Sequence, residues 1–365
     1  MATKTKRARR YPFEPDFAVP PGRTLLETIE TQGIDQKELA RRTGFTEKHI
    51  SQIINGKAPI SAEAAIRFEW VTGVPARIWN NLEAQYQEQK ARLAAREQLQ
   101  ANLGWLKCVP VKELIKRGAI PDLRDPIELL TCVLQFFRVA SVDAWRMGWQ
   151  EPAAFAFRKS TAVAQQDGAI AAWLRLGELE AETRECGPYD EKRFRDVLKD
   201  IRALTTRDPK DFVPRMVELC AGAGVAVVFV PEIKGAPVSG AAKWITPKKA
   251  MICLNIRGKS NDRFWFTFFH EAGHVLKGGS REVFVDIDTM DDPEERAANE
   301  FAARLLIPSR HDAELPSLKS RVAVVRFARR IGIHPGIVVG RLQNDRVLPY
   351  SHLNDLKVRF QWVEE

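Results

Sequence analysis

Apolar positions recur every three to four residues through the first hundred residues and again between 102 and 209, which is the helical period, with Gly and Pro separating the runs. After 209 the pattern changes. Residues 225–230 form a β-branched run closed by Pro231, and shorter strand patterns follow at 240–245 and 251–255. A helix is predicted from Asn261 to the Gly278-Gly279 stop. A second is predicted from Asp292 as cap and Pro293 at the first helical position, and Pro308 ends it. The expected fold class is mostly α with an α+β C-terminal part. Its expected segments are a basic disordered arm (1–19), a five-helix domain (20–101), a helical middle or linker domain (102–209) and a domain with a small β-sheet (210–365).

Within the first domain, residues 36–54 read as two short helices joined at Gly44. Small Ala40 allows the helices to approach, Gly44 permits a left-handed turn, and Ile50 and Ile53 fill a shared core. That is a helix-turn-helix. Its second helix begins with Thr46 as N-cap and turns Glu47, Lys48, His49, Ser51 and Gln52 outward, where such helices meet base edges and phosphates. A three-helix packing module that touches no DNA is the blander reading of the same pattern. With Pro20-Pro21-Gly22, Asn55-Gly56-Lys57 and the stretch Trp79 to Ala84, residues 20–100 resemble the HigA-type antitoxin branch of XRE-like DNA-binding proteins. The resemblance implies a homodimer on a two-fold double-stranded DNA operator. Gln36 and Lys57 are expected at phosphates, and Thr46, Lys48, His49, Ser51 and Gln52 at the DNA face. The basic stretch Lys4 to Arg10 could enter a minor groove or simply solubilise the chain.

Charge agrees with an acidic partner: the 365 residues carry a formal charge of +9. Five scattered cysteines fit neither a disulfide framework nor a paired-cysteine metal knuckle, so any metal must use other ligands. No apolar run approaches the roughly 20 residues that span a bilayer. Tyr11-Pro12-Phe13-Glu14-Pro15-Asp16 stands where a signal peptide needs its apolar core, so a cytoplasmic protein without membrane contact is expected.

The predicted helix after Asn261 carries His270-Glu271-Ala272-Gly273-His274. Two imidazoles four apart project from one helix face and can hold one zinc ion, with Glu271 placed to take a proton from water. Zinc lowers the pKa of water from about 15.7 to about 7, which brings amide hydrolysis within reach at neutral pH. In a chain with 6 histidines the pattern is expected by accident on the order of 0.01 times. Phe264, Phe266, Phe268, Phe269, Val275 and Leu276 make the helix apolar nearly all round, an environment in which two histidines need partners. A third ligand is expected from the next helix. Helical projection leaves Glu294 and Glu295 both open, and Glu295 also stands where it completes a capping box with Asp292.

This motif followed by Glu295-Arg-Ala-Ala-Asn299-Glu-Phe-Ala-Ala-Arg-Leu-Leu-Ile-Pro308 resembles the ImmA/IrrE metallopeptidases over roughly residues 210–345. The resemblance implies a zincin-like (gluzincin-like) metalloendopeptidase in which His270, His274 and Glu295 bind Zn2+. Glu271 is then catalytic, and Asn299 supports a ligand from behind. It further implies a protein substrate, a repressor or other regulator, or this chain itself, cleaved on a signal. His334, Tyr350 and His352 are available to stabilise an oxyanion, and the strand at 240–244 could pair with an extended substrate. The alternative is a HigA-type antitoxin and autorepressor that binds a toxin, with a mainly structural zinc site.

Overall fold

In a computed structural model, the structure describes residues 17–150, 164–256, 259–277, 283–285 and 293–362. The basic arm up to residue 16, the Gly278-Gly279 stop and the Asp292 cap lie outside the described residues. The chain divides into two units, one up to Leu103 and one from Gly104.

In the first unit, α1 (Pro21–Thr31), α2 (Gln36–Thr43), α3 (Glu47–Ile54), α4 (Ala62–Thr72) and α5 (Ala76–Ala101) surround a core of Leu25, Ile29, Leu39, Ile50, Phe68 and Trp79. The caps follow the sequence. Asp35, Thr46 and Ser61 each accept a backbone N–H from the helix they start, and Gly44 ends α2 at φ +72°. Gly22 brings α1 onto the end of α3, since a Cβ there would lie 2.1 Å from the Ile53 carbonyl oxygen.

The second unit begins with α6 (Val111–Lys116), α7 (Pro126–Phe136), α8 (Val142–Trp145), α9 (Ala164–Thr183), α10 (Glu191–Ala203) and α11 (Pro209–Gly222). The strands are β1 (Val225–Phe229), β2 (Gly240–Thr246), β3 (Lys249–Leu254) and β4 (Val283–Val285), in the order β1-β3-β2-β4. β1 and β3 run parallel, and the other neighbours are antiparallel. Helices α12 (Asn261–Lys277), α13 (Pro293–Leu306), α14 (Arg321–Ile331) and α15 (Pro335–Asn344) complete it. One core runs through Phe194 and Ile201 of α10, Phe212 of α11, Val227 and Ile252 of the sheet, Trp265 and Phe268 of α12, Ala302 of α13 and Phe327 of α14. Helices from the middle of the chain are therefore knit to the sheet. Trp173 of α9 donates to the Val230 carbonyl at 3.0 Å, Arg117 donates to the carbonyls of Pro231 and Glu232, and Arg202 donates to that of Leu305.

One expectation is corrected here. The strand proposed to receive an extended substrate is β2, and over Ala241–Lys243 its outer edge already pairs with β4. Over those three residues that edge is taken by β4, which lies some forty residues away in sequence, beyond the reach of a local pattern.

Candidate functional site

Helix α12 is buried along most of its length, with Phe264, Trp265, Phe268 and Phe269 in the core, so His270 and His274 sit in a water-poor place, 1% and 2% exposed. Their Nε2 atoms are 3.0 Å apart, and each lies 3.1 Å from a different oxygen of Glu295 on α13. One turn along α13, the Asn299 Oδ1 lies 2.9 Å from His270 Nδ1. An amide oxygen only accepts, so His270 carries a proton on Nδ1, and Nε2 is the atom that would give up its proton when a metal binds and keep one for Glu295 otherwise. Burial pushes the Glu295 carboxyl up, but hydrogen bonding to His270 and His274 and their charge outweigh it and hold it at about 2. Glu294 is exposed and is not among the converging donors.

The residues fit a divalent metal. Two imidazoles and a carboxylate are a common catalytic ligand set, and donor atoms converging within 4.8 Å of one another in a buried site are the arrangement that a small ion with bonds of about 2 Å requires.

Two glycines make the geometry possible. A Cβ on Gly273 would lie 3.1 Å from the Phe301 ring and 3.3 Å from the Ala298 Cα, so the missing side chain lets the two ligand-bearing helices approach. Gly240 at the start of β2 stands against the fully buried Glu271. A Cβ there would come within 2.7 Å of its Oε1 and 2.6 Å of Thr267 Cγ2. Sequence reading missed both glycines as positioning residues. The small residue inside the His-Glu-Ala-Gly-His motif was the available signal for the first, while the second depends on a contact between distant segments.

Beside the cluster opens a cleft of about 970 Å³, bounded by Glu295 and Asn299 at one end, Phe266 and Thr267 on α12, and Ile337 and Gly340 on α15. Among the three oxyanion candidates, Tyr350 lines this cleft and is largely exposed. His334 instead caps α15, its Nδ1 accepting from Gly336 N at 3.0 Å and lying 2.8 Å from Asn261 Nδ2. His352 is exposed and lies beside Ser351.

On the first unit, Gln36 begins α2, Thr46 caps α3 by accepting from His49 N at 3.1 Å, and Gln36, Lys48 and Lys57 are exposed. Ser51 and Gln52 are half-buried on α3, and the His49 ring rests edge-on against Phe45 at 5.0 Å. The positions thus share the second motif helix and its flanking turns, with His49 partly engaged by its own core.

Comparison with known proteins agrees with this division. Residues 25–79 match the family model described as helix-turn-helix, and residues 222–343 match the peptidase family model described as IrrE N-terminal-like domain. No curated protein matches the chain. Among solved structures, a chain from Nostoc punctiforme described as an antidote protein of a plasmid maintenance system is 24% identical; the match covers 23% of this chain and 92% of that one, with a TM-score of 0.22. An addiction module antidote protein of the HigA family from Coxiella burnetii is 22% identical, with the same coverage and TM-score. The chain thus joins a helix-turn-helix domain to an IrrE-like peptidase domain. Among the described residues, no helix is long and apolar enough to cross a membrane.

Proposed function

We propose that this chain is a DNA-binding transcriptional regulator carrying a zinc-dependent endopeptidase that cleaves a repressor, another regulatory protein or itself when a signal arrives. The observation that carries the reading is the convergence of His270, His274 and Glu295 beside buried Glu271, in a chain that also bears a helix-turn-helix. His270, His274 and Glu295 would hold the zinc. When bound, the ion supplies Lewis acidity that makes water a nucleophile at neutral pH and polarises the scissile carbonyl. Glu271 takes the proton from the attacking water and delivers it to the departing amide nitrogen. Asn299 keeps His270 in the tautomer whose Nε2 can ligate, and the apolar surroundings exclude bulk water and strengthen each electrostatic contact.

Through Gln36, Lys48 and Lys57 the first unit meets phosphates, while Ser51 and Gln52 face the bases, on a two-fold operator bound by a homodimer. The substrate is a protein, and the compartment is the cytoplasm.

Metal analysis combined with a cleavage assay tests the proposal. Wild type and Glu271→Gln are expected to carry about one zinc per chain, while His270→Ala and Glu295→Ala lose it. Only wild type is expected to change the cleavage pattern of a cell extract under inducing conditions. Identical patterns from wild type and Glu271→Gln, together with repression that survives the substitution, would move the chain to the antitoxin and autorepressor reading.

A further inference from the structure

We infer that the exposed face of α14, through Arg326 and Arg329, binds the phosphate backbone of double-stranded DNA, as a contact separate from the one proposed for the first unit. Helix α14, the turn after it and α15 repeat the helix-turn-helix of α2 and α3 position by position. Leu39-Ala40-Arg41-Arg42-Thr43-Gly44-Phe45-Thr46 has its counterpart in Phe327-Ala328-Arg329-Arg330-Ile331-Gly332-Ile333-His334, and Ile50 has its counterpart in Val338. The structure repeats as well. Ala40 and Ala328 are buried, as are Ile50 and Val338. Gly44 and Gly332 take the left-handed conformation at φ +72° and +71°, and Thr46 and His334 each accept a backbone N–H from the helix they start.

The two motifs differ in what they leave exposed. On α15 the counterparts of Lys48, His49, Ser51 and Gln52 are Gly336, Ile337, Val339 and Gly340. A Cβ on Gly336 would lie 2.7 Å from Asn261 Oδ1, and one on Gly340 would lie 2.5 Å from Asp262 Oδ2, so this face is packed on the start of α12; Ile337 and Val339 are buried. The second helix of this motif therefore reaches no bases, and the first helix is left to meet DNA. On α2, Glu38 neutralises Arg41 at 2.6 Å and Arg42 at 2.7 Å. Its counterpart on α14 is Arg326. The nearby acids are already engaged: Glu314 pairs with Arg330, Asp355 with Arg321, and Asp345 and Asp312 with Arg341. Arg326 and Arg329 are exposed and have no ion-pair partner among the described residues. Residues 319–346 hold seven basic side chains against one acidic, whereas residues 17–103 hold eleven against ten, so much of the chain's excess positive charge lies on this second motif. Three apart on one helix, the two arginines have Cβ atoms about 5–6 Å apart, and their long side chains reach neighbouring phosphates, each with a planar fork of donors. A chain held on DNA by its first unit has that polyanion at hand, which favours DNA over an acidic protein as the occupant. Contact with phosphates alone is independent of sequence.

The test uses the full-length protein and two fluorescent duplexes of unrelated sequence, titrated by anisotropy over a series of salt concentrations. Arg326→Ala combined with Arg329→Ala is expected to lower the slope of log affinity against log salt by about 0.9 for each contact, about 1.8 in all, equally on both duplexes and with unchanged thermal melts. Lysine at the same two positions is expected to restore most of the slope. Removing two exposed lysines elsewhere on the unit, in Lys112→Ala with Lys234→Ala, is expected to leave the slope as it is. Adding Lys48→Ala and Lys57→Ala to the arginine pair is expected to lower it further, by the amount those two remove alone. An unchanged slope in the arginine pair, an equal fall in the Lys112 and Lys234 control, or a fall on one duplex only would overturn the inference. So would arginine variants that keep the slope but lose binding to polyglutamate, which would give the face to an acidic protein. If Lys48→Ala with Lys57→Ala leaves the slope intact while the arginine pair lowers it, the phosphate contacts proposed for the first unit fail and this one stands; wild type that binds neither duplex overturns both.

Discussion

Asn299 and Gly240 act on the cluster from different sides, one by a hydrogen bond and one by having no side chain. Removing the Asn299 amide in Asn299→Ala frees the His270 ring to turn, and zinc affinity is expected to fall 10- to 100-fold in competition with a chromogenic chelator; unchanged affinity would show that the contact does not tune the ligand. Gly240→Ala puts a methyl group into the space held by Glu271 and Thr267. Cleavage of an extract substrate is expected to drop at least about 10-fold with zinc content unchanged, because the base moves and the ligands do not. Full cleavage with full zinc would mean that Glu271 has room to shift. His270, Glu271 and His274 were legible in the sequence because one helical turn sets their relation. Helical projection could not choose between Glu294 and Glu295, because both project near the same face; the family resemblance pointed to Glu295, and the crossing of two helices brings it to the histidines.

Helix packing decides whether those side chains meet. At Gly273 a branched residue must push α13 away from α12, so Gly273→Val is expected to cost about 1–3 kcal/mol in denaturant unfolding and to abolish zinc binding. Zinc bound at full stoichiometry would show that the helices tolerate separation. At the start of α15, burial holds the His334 imidazole below its ordinary 6.5, and its Nδ1 accepts a backbone N–H as a neutral ring must. A lowered folded value means that the unfolded chain binds the proton more readily. The associated stability is therefore complete above pH 6.5 and is lost as pH falls through the lowered value. Thermal melts from about pH 7.5 to about pH 5 are expected to fall more steeply for wild type than for His334→Asn; parallel curves would remove His334 as the cause. Helix caps and strand runs could be read locally, whereas the β2–β4 pairing and the approach of α15 to the start of α12 join segments far apart in sequence.

Across the whole chain, the helix-turn-helix and the IrrE-like domain match different stretches of sequence, so the two proposed chemistries are expected to separate by mutation. Glu271→Gln is expected to bind operator DNA like wild type while losing cleavage. Combining Lys48→Ala with Lys57→Ala is expected to weaken DNA binding across sequences and to lower the slope of log affinity against log salt by about 0.9 for each phosphate contact removed. An unchanged slope would take both lysines off the phosphates. Both motifs were visible in the sequence because each is a short run of neighbours. Residues 102–209 were not legible because their helices take meaning only from contacts with distant segments, such as Trp173 at Val230 just beyond β1. The start of α12 is itself held by residues near 358: Asn261 N donates to the Val358 carbonyl at 2.9 Å, and Val358 N donates to Asn261 Oδ1 at 3.1 Å. On the ribosome this imposes an order in time. Leu103 ends the first unit, yet the clasp on the histidine helix forms only after some 250 further residues, on the order of 10 to 50 s at about 5–20 residues per second. A nascent chain thus completes its helix-turn-helix before it completes the segment that clasps the His270 helix.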